Sequence, residues 1–153
     1  GDQYLMSALL QAEARTALEP DEGRRTELGL AVNADSLATW FRDVLAEGGR
    51  GKVLVVDGRG SRRRALCGGN IAAEAHGHGW QGLVFNGCIR DGHEFAELDF
   101  GVKAIGTTPR RPRHDGIAET GVALYFGGIV INDGDYLYTD ADGVIVAAGP
   151  LHE

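Results

Sequence analysis

The run Val53-Leu54-Val55-Val56, closed by Asp57-Gly58-Arg59-Gly60, decides the fold class. Four consecutive apolar and mostly β-branched residues between turn signals fit a strand covered on both faces, as in a parallel sheet buried between other layers. Further on, Gly82-Leu83-Val84-Phe85 predicts a second such strand. The small-residue segment 70–78 between them predicts a helix closed by Gly79. Beyond residue 100 the pattern turns strand-rich, at 102–105, 122–126, 129–132, 136–138 and 144–147. Gly127-Gly128, Asp133-Gly134 and Asp142-Gly143 punctuate it as tight turns and hairpins. Strands that first alternate with helices and then form hairpins imply a mixed sheet with flanking helices in one α/β domain spanning 1–153.

Upstream the signals are weaker. Leu5, Leu9, Ala12 and Thr16 recur at spacings of three and four, which predicts a helix over 4–18. Residues 21–27 are charged and unpatterned and read as a linking loop, and 28–32 as a short strand. Asp35 or Ser36 is placed to cap a helix over 37–46, with Leu37, Trp40, Phe41, Val44 and Leu45 on its core face, ending at Gly48-Gly49.

With 153 residues, 43% of them hydrophobic, the chain can bury roughly two-thirds of its unfolded surface without disulfides or a structural metal. A net charge of −7 argues against nucleic-acid binding, because phosphate neutralisation needs a basic face. The arginine clusters Arg62-Arg63-Arg64 and Arg110-Arg111-Pro112-Arg113 read as solvated surface or rims of an anion site. Cys67 and Cys88 stand in no metal-ligand spacing and read as reduced, buried thiols. No apolar run approaches the roughly 20 residues that cross a bilayer, so the expected location is cytoplasmic, with no membrane contact.

Three segments carry chemical suspicion and lose it. Gly58 and Gly60 begin a dinucleotide fingerprint, but Arg63 stands at its third glycine. Asp133, Asp135, Asp140 and Asp142 lack the spacing and terminal glutamate of a calcium loop and suit turns instead. His76 and His78 would share a face on a strand but point apart at a helix end. Arg90-Asp91, followed by Glu94, is stronger. A guanidinium beside a carboxylate at the end of a buried strand offers a bidentate anion clamp next to a hard oxygen ligand, which suits a small carboxylate substrate on a divalent ion.

The segments Val53–Gly58, Ser61–Leu66, Gly79-Trp80-Gln81-Gly82-Leu83-Val84, Asn86-Gly87-Cys88-Ile89-Arg90-Asp91, Leu98-Asp99-Phe100-Gly101 and Lys103–Pro109 together resemble the regulator of ribonuclease activity A family. So do Gly127-Gly128, Gly134-Asp135 and Asp142-Gly143-Val144-Ile145, in matching order. The likeness covers 28–151, whereas 1–27 does not resemble the family's usual beginning. It implies a swivelling β/β/α domain and a ring-shaped homotrimer, or a dimer of trimers, with sites between the glycine loop and the Arg-Asp loop. It also implies two functional kinds. One consists of regulators that bind ribonuclease E and RNA helicases without touching RNA. The other consists of divalent-metal lyases that cleave 4-hydroxy-4-methyl-2-oxoglutarate and decarboxylate oxaloacetate, both giving pyruvate.

The lyases resemble one another in an aspartate, 20 residues, Arg-Asp, two residues and an acid. Here Arg90, Asp91 and Glu94 match, while Gly69 stands where the first aspartate is expected, with Asn70 beside it. By resemblance Asp91 would hold Mg²⁺ or Mn²⁺ and Glu94 would support it from farther out. Arg90 would bind the substrate carboxylate and steady the enolate. Gly68, Gly69, Asn70 and Ile71 would offer amides at a helix start. The missing aspartate leaves the general base for aldol cleavage unassigned.

Overall fold

A computed structural model of the chain describes residues 3–6, 10–11, 24–27, 31–32, 36–38, 41–91, 94, 100–111, 113–116, 118–119, 122–139, 143–149 and 151. In chain order the first strands are β1 (Gln3–Met6), β2 (Leu10–Gln11), β3 (Arg24–Glu27), β4 (Ala31–Val32) and β5 (Ser36–Ala38), followed by helix α1 (Phe41–Ala46). Then come β6 (Val53–Asp57), β7 (Ala65–Cys67), helix α2 (Gly69–Gly77), β8 (Gly82–Asn86), β9 (Cys88–Ile89), β10 (Gly101–Ala104) and β11 (Gly106–Thr107). The remainder is β12 (Arg113–Gly116), β13 (Ala118–Glu119), β14 (Leu124–Phe126), β15 (Ile129–Ile131), β16 (Tyr136–Thr139) and β17 (Val144–Ala147).

The largest sheet runs β1-β17-β16-β3-β6-β8-β10-β2, with β4 also on β6 and β13 on β4. Its centre is parallel: β6 pairs β8 from Val53↔Gly82 to Asp57↔Asn86, and β8 pairs β10. Its β16–β17 end is an antiparallel hairpin. Val53 through Val56 are fully buried because both faces are covered, and alternate residues divide between two cores. Leu54, Val56, Leu83 and Phe85 pack with Leu45 of α1, with Ile71, Ala72 and Ala75 of α2, and with Trp80. Val53, Val55 and Val84 pack instead with Leu124, Ile131, Leu137 and Val146 of the hairpin strands. The order is therefore helices, parallel sheet, hairpin strands, the β/β/α layering expected from the resemblance.

Local chemistry accounts for the joints. Trp80 donates its indole N–H to the Leu45 carbonyl at 3.0 Å, tying the end of α1 to the start of β8, and Arg42 and Glu74 pair across the two helices at 3.4 Å. Gly127 and Gly128 both adopt positive φ, 63° and 77°, as a two-residue hairpin requires, and β14 and β15 pair across them.

Three expectations upstream are corrected. Within 4–18, predicted as helix, Gln3–Met6 and Leu10–Gln11 are strands, paired antiparallel with β17 and β10. Residues 12–18 lie outside the described residues. A three-and-four spacing of small and apolar residues does not exclude a strand when a sheet edge offers backbone partners. Within 21–27, read as a loop, Arg24–Glu27 is a strand between β16 and β6, where a ladder on either side satisfies its backbone despite the charged sequence. The predicted helix over 37–46 begins only at Phe41. Ser36–Ala38 pairs in parallel with β12. Trp40, expected in the core, lies outside the described residues.

Candidate functional site

A second, smaller sheet builds the site. β11, β9 and β7 run parallel, with Ala65↔Cys88 and Cys67↔Ile89 paired across a register shift between the last two and Gly106↔Cys88 paired between the first two. Parallel strands deliver the loops at their carboxyl ends to one side of a sheet, which is where α/β proteins place their ligands. Here those loops are Gly68-Gly69 after β7, Arg90-Asp91 after β9 and Thr108 after β11. Two backbone bonds continue the ladder into them: the Arg90 N–H donates to the Cys67 carbonyl at 2.9 Å, and the Thr108 N–H to the Ile89 carbonyl at 3.0 Å.

Asp91 holds a left-handed backbone, φ 59°, which aspartate tolerates better than most residues. Its Oδ2 accepts the Gly69 N–H at 3.3 Å and lies 3.7 Å from Arg90 Nε. The Glu94 N–H donates to the Asp91 carbonyl at 2.9 Å. Gly68 caps α2 without a side chain of its own to satisfy the helix start, and α2 carries no acid in its first turn. The carboxylates come from the neighbouring loop instead, where the positive end of the helix favours them.

The glycines make the approach possible. A Cβ on Gly68 would lie 2.9 Å from Asp91 Oδ2 and 3.0 Å from Arg90 Nε. A Cβ on Gly69 would coincide with the Glu94 carboxylate, with Glu94 Cδ only 2.8 Å away. The structure thus brings Gly68, Gly69, Arg90, Asp91 and Glu94 together. Asn70, next along α2, is exposed, and the Ile71 side chain belongs to the core. Their amides lie in the first helical turn, where N–H groups lack intrahelical acceptors. The seating of Glu94 on Gly69 was not legible in spacing alone, although a glycine where a carboxylate is expected, with an acid in the facing loop, was the available signal.

Asp91 and Glu94 are hard oxygen donors flanking one glycine pair, and among the described residues no group of three His, Cys, Asp or Glu assembles that could hold a metal ion. Such a donor set fits Mg²⁺ or Mn²⁺, which are commonly held by one or two carboxylates while water and substrate oxygens fill the rest of the shell. It does not fit an all-protein cage.

The other sequence-flagged residues fall elsewhere. Asp57 Oδ1 accepts the Arg59 N–H at 2.8 Å and the Asn86 side-chain amide at 2.9 Å, so the Gly58–Gly60 loop closes on itself. His76 and His78 are exposed at the end of α2, His76 edge-on to Phe100. The arginine clusters converge: the Ala65 N–H donates to the Arg110 carbonyl, Arg64 to the Arg111 carbonyl and Arg62 to the Ile105 carbonyl. Cys67 and Cys88 are free and buried, and burial pushes both thiols up from their ordinary pKa. Asp140 and Asp142 lie outside the described residues. No helix among the described residues is long and apolar enough to cross a membrane.

Comparison with known proteins extends the likeness. The family model described as RraA-like, Aldolase/RraA, matches residues 10–146. A Dechloromonas aromatica protein named "Putative 4-hydroxy-4-methyl-2-oxoglutarate aldolase" is 46% identical over 110 residues, 72% of this chain and 68% of that one. Among solved structures, the RNA-processing inhibitor RraA from Thermus thermophilis superposes with a TM-score of 0.86 at 33% identity, over 97% of this chain and 87% of that one. A Geobacillus kaustophilus protein described as an S-adenosylmethionine: 2-dimethylmenaquinone methyltransferase superposes with a TM-score of 0.73 at 35% identity, over 98% and 84%. Three such different names on one fold leave the chemistry to be argued from the site.

Proposed function

The chain belongs to the RraA-like family, Aldolase/RraA, and from that premise we propose that it is a divalent-metal-dependent lyase acting on pyruvyl substrates such as oxaloacetate and 4-hydroxy-4-methyl-2-oxoglutarate. One observation carries this reading: Arg90 and Asp91 meet the Gly68-Gly69 pair at the amino end of α2, placing cation, carboxylate and helix amides around one small space. The aldolase name of relatives such as the Dechloromonas aromatica protein supports it.

Arg90 binds and orients the substrate carboxylate, and its guanidinium offsets the charge that builds on the 2-oxo oxygen. The amides of Asn70 and Ile71 add donors at the positive end of the helix. Asp91, with Glu94 beside it, would hold Mg²⁺ or Mn²⁺, which when bound supplies Lewis-acid polarisation of the 2-oxo group. In oxaloacetate the bond to the departing carboxylate breaks and its electron pair moves to the 2-oxo oxygen. CO₂ leaves, and the enolate takes a proton to give pyruvate. In the aldol substrate the hydroxyl proton must also be removed, which calls for a base.

The test is pyruvate release from both substrates. Turnover with Mg²⁺ or Mn²⁺ that a chelator abolishes and added metal restores is the expected result. No release from either substrate with either ion would sink the reading.

A second reading, a non-catalytic regulator that binds ribonuclease E or an RNA helicase, is favoured by the likeness to the Thermus RNA-processing inhibitor. Inhibition of RNA cleavage by a chain that lacks lyase turnover would establish it. Under both readings we propose a homotrimer, or a dimer of trimers. Light scattering that reports a monomer at micromolar concentration would remove that assembly.

A further inference from the structure

We infer that the cleft at the opposite end of α2 from Gly69 is a second small-molecule site, one that takes a small monocarboxylate bearing a hydroxyl or amino group beside its carboxylate. It lies outside the lyase site and stands whether or not that reading holds.

The cleft has a volume of about 250 Å³ and is lined by Val44, Glu47, Gly48, Arg50, Lys52 and Trp80. Pockets for drug-sized ligands occupy roughly 300–1,000 Å³, so this one suits a metabolite of a few carbons. It sits at the amino ends of the central parallel strands, because Lys52 leads directly into β6 and Trp80 stands two residues before β8. The nine residues of α2 separate it from the Gly68-Gly69 loop, a span of roughly 13 Å at 1.5 Å per residue.

The loop that forms its rim is tightly held. Gly49 and Gly51 donate their N–H groups to the His78 and Gly79 carbonyls, and the Gln81 N–H donates to the Lys52 carbonyl, all at 2.9 Å. A Cβ on Gly49 would lie 2.5 Å from Trp80 Cα and from its ring, so the loop backbone lies flat against the tryptophan. Gly48 and Gly51 take positive φ as glycines readily do, but Arg50 between them takes it too, at 52°. A left-handed backbone is a strained choice for arginine, and such strain collects where a side chain is held for a ligand.

The lining selects the ligand. Arg50 and Lys52 bring two cations to it, the Lys52 ammonium 5.9 Å from the centre of the Trp80 ring, and a guanidinium fork matches a carboxylate. Glu47 in the same lining repels a second negative charge and accepts a hydrogen bond. It therefore disfavours phosphate and dicarboxylates and favours a hydroxyl or ammonium group on the ligand. Val44 and Trp80 add apolar surface for a short carbon chain. Small 2-hydroxy acids and 2-amino acids share this pattern. Cations near helix carboxyl ends also steady the last carbonyls. That role alone would make Arg50 matter for stability and not for binding.

The experiment follows the ¹H–¹⁵N spectrum of the full chain during titration with lactate, alanine, acetate and inorganic phosphate, in the parent, Arg50→Gly, Arg50→Lys and Arg90→Ala. Lactate or alanine is expected to move the Gly48, Gly49 and Gly51 amide signals and the Trp80 indole signal saturably, with a Kd of roughly 1–10 mM. Which of the two does so identifies the ligand class. Acetate, which lacks the donor, and phosphate should bind roughly tenfold more weakly. Arg50→Gly relieves the strained backbone, so it should keep the parent's melting temperature while binding falls roughly tenfold. Arg50→Lys should retain part of the affinity and Arg90→Ala all of it. The site is overturned if neither lactate nor alanine moves those signals well above that range, if acetate or phosphate binds as tightly as the better of them, or if Arg90→Ala abolishes the shifts. Unchanged binding in Arg50→Gly, with a lowered melting temperature, would assign Arg50 to the helix carbonyls and overturn it as well.

Discussion

Two glycine loops sit at the carboxyl ends of parallel strands, β6 in the large sheet and β7 in the small one, and only one of them gathers charged groups from another loop. After β6, Asp57-Gly58-Arg59-Gly60 holds an aspartate and an arginine among glycines, yet the Asp57 carboxylate turns back on the Arg59 amide and the Asn86 side chain. The Gly60 N–H bonds the Asn86 carbonyl at 3.0 Å and completes the closure. After β7, Gly68-Gly69 brings no charge of its own. Its charged groups arrive from the loop after β9, more than twenty residues on, and meet a helix start instead of a turn. A glycine loop with its own partners is a structural turn. One that borrows them has the charged side chains of another segment set against its backbone.

The sharpest break of that comparison removes the borrowed groups. Asp91→Ala and Arg90→Ala should each lower metal-dependent pyruvate release by about 10²- to 10⁴-fold, with melting temperature close to the parent's, since both side chains are partly exposed. Full activity in Asp91→Ala would place the site elsewhere.

Next, the same substitution in the two loops should produce opposite defects. Gly68→Ala puts a methyl 2.9 Å from Asp91 Oδ2 and 3.0 Å from Arg90 Nε, pushing on movable side chains, so turnover should fall roughly tenfold with little loss of stability. Gly58→Ala puts it into Leu66 and 3.0 Å from the Asn86 carbonyl, so denaturation should show a loss of about 1–3 kcal/mol while kcat holds. Equal defects in both variants would erase the distinction.

The thiol just before Gly68-Gly69 gives a third handle. Burial raises the Cys67 pKa, so the folded state keeps a proton that the unfolded chain releases above about pH 8.5. Cys67 therefore makes stability fall as pH rises past that point, with a limiting slope near ~1.4 kcal/mol per pH unit. Cys67→Ser or Cys67→Ala should flatten the decline in a urea series at pH 8, 9 and 10. An unaltered slope would mean that the thiol is reachable by solvent.

The smallest effect belongs to the self-closed loop. Asp57→Ala removes one acceptor shared by two donors and should cost about 1 kcal/mol in urea denaturation, while pyruvate release stays within twofold of the parent. A large loss of turnover there would make the two loops one site.

The central layers were legible because buried strands and a short helix leave strong local marks. Val53–Asp57, Gly82–Asn86 and Gly69–Gly77 stand where apolar runs and Gly79 placed them, within a residue or so. The pairing of Gly68-Gly69 with Arg90-Asp91 and the family were legible through motif order. The strands at Gln3–Met6 and Arg24–Glu27 were not, although the short strand expected over 28–32 is present at Ala31–Val32. Gln3–Met6 and Arg24–Glu27 become strands because a sheet edge or slot satisfies their backbone, and no local pattern encodes a partner more than a hundred residues away.

By itself, then, the sequence determined the buried parallel centre, the hairpin turns and which residue types face one another across the two loops. Tertiary structure alone decided that the Asp57 carboxylate is internally satisfied, that Asp91 adopts a left-handed backbone, and that Glu94 fills the volume beside Gly69. Local periodicity reports burial, which is a property of one segment. The occupancy of a given few cubic ångströms depends on two segments at once, and only the folded chain brings them together.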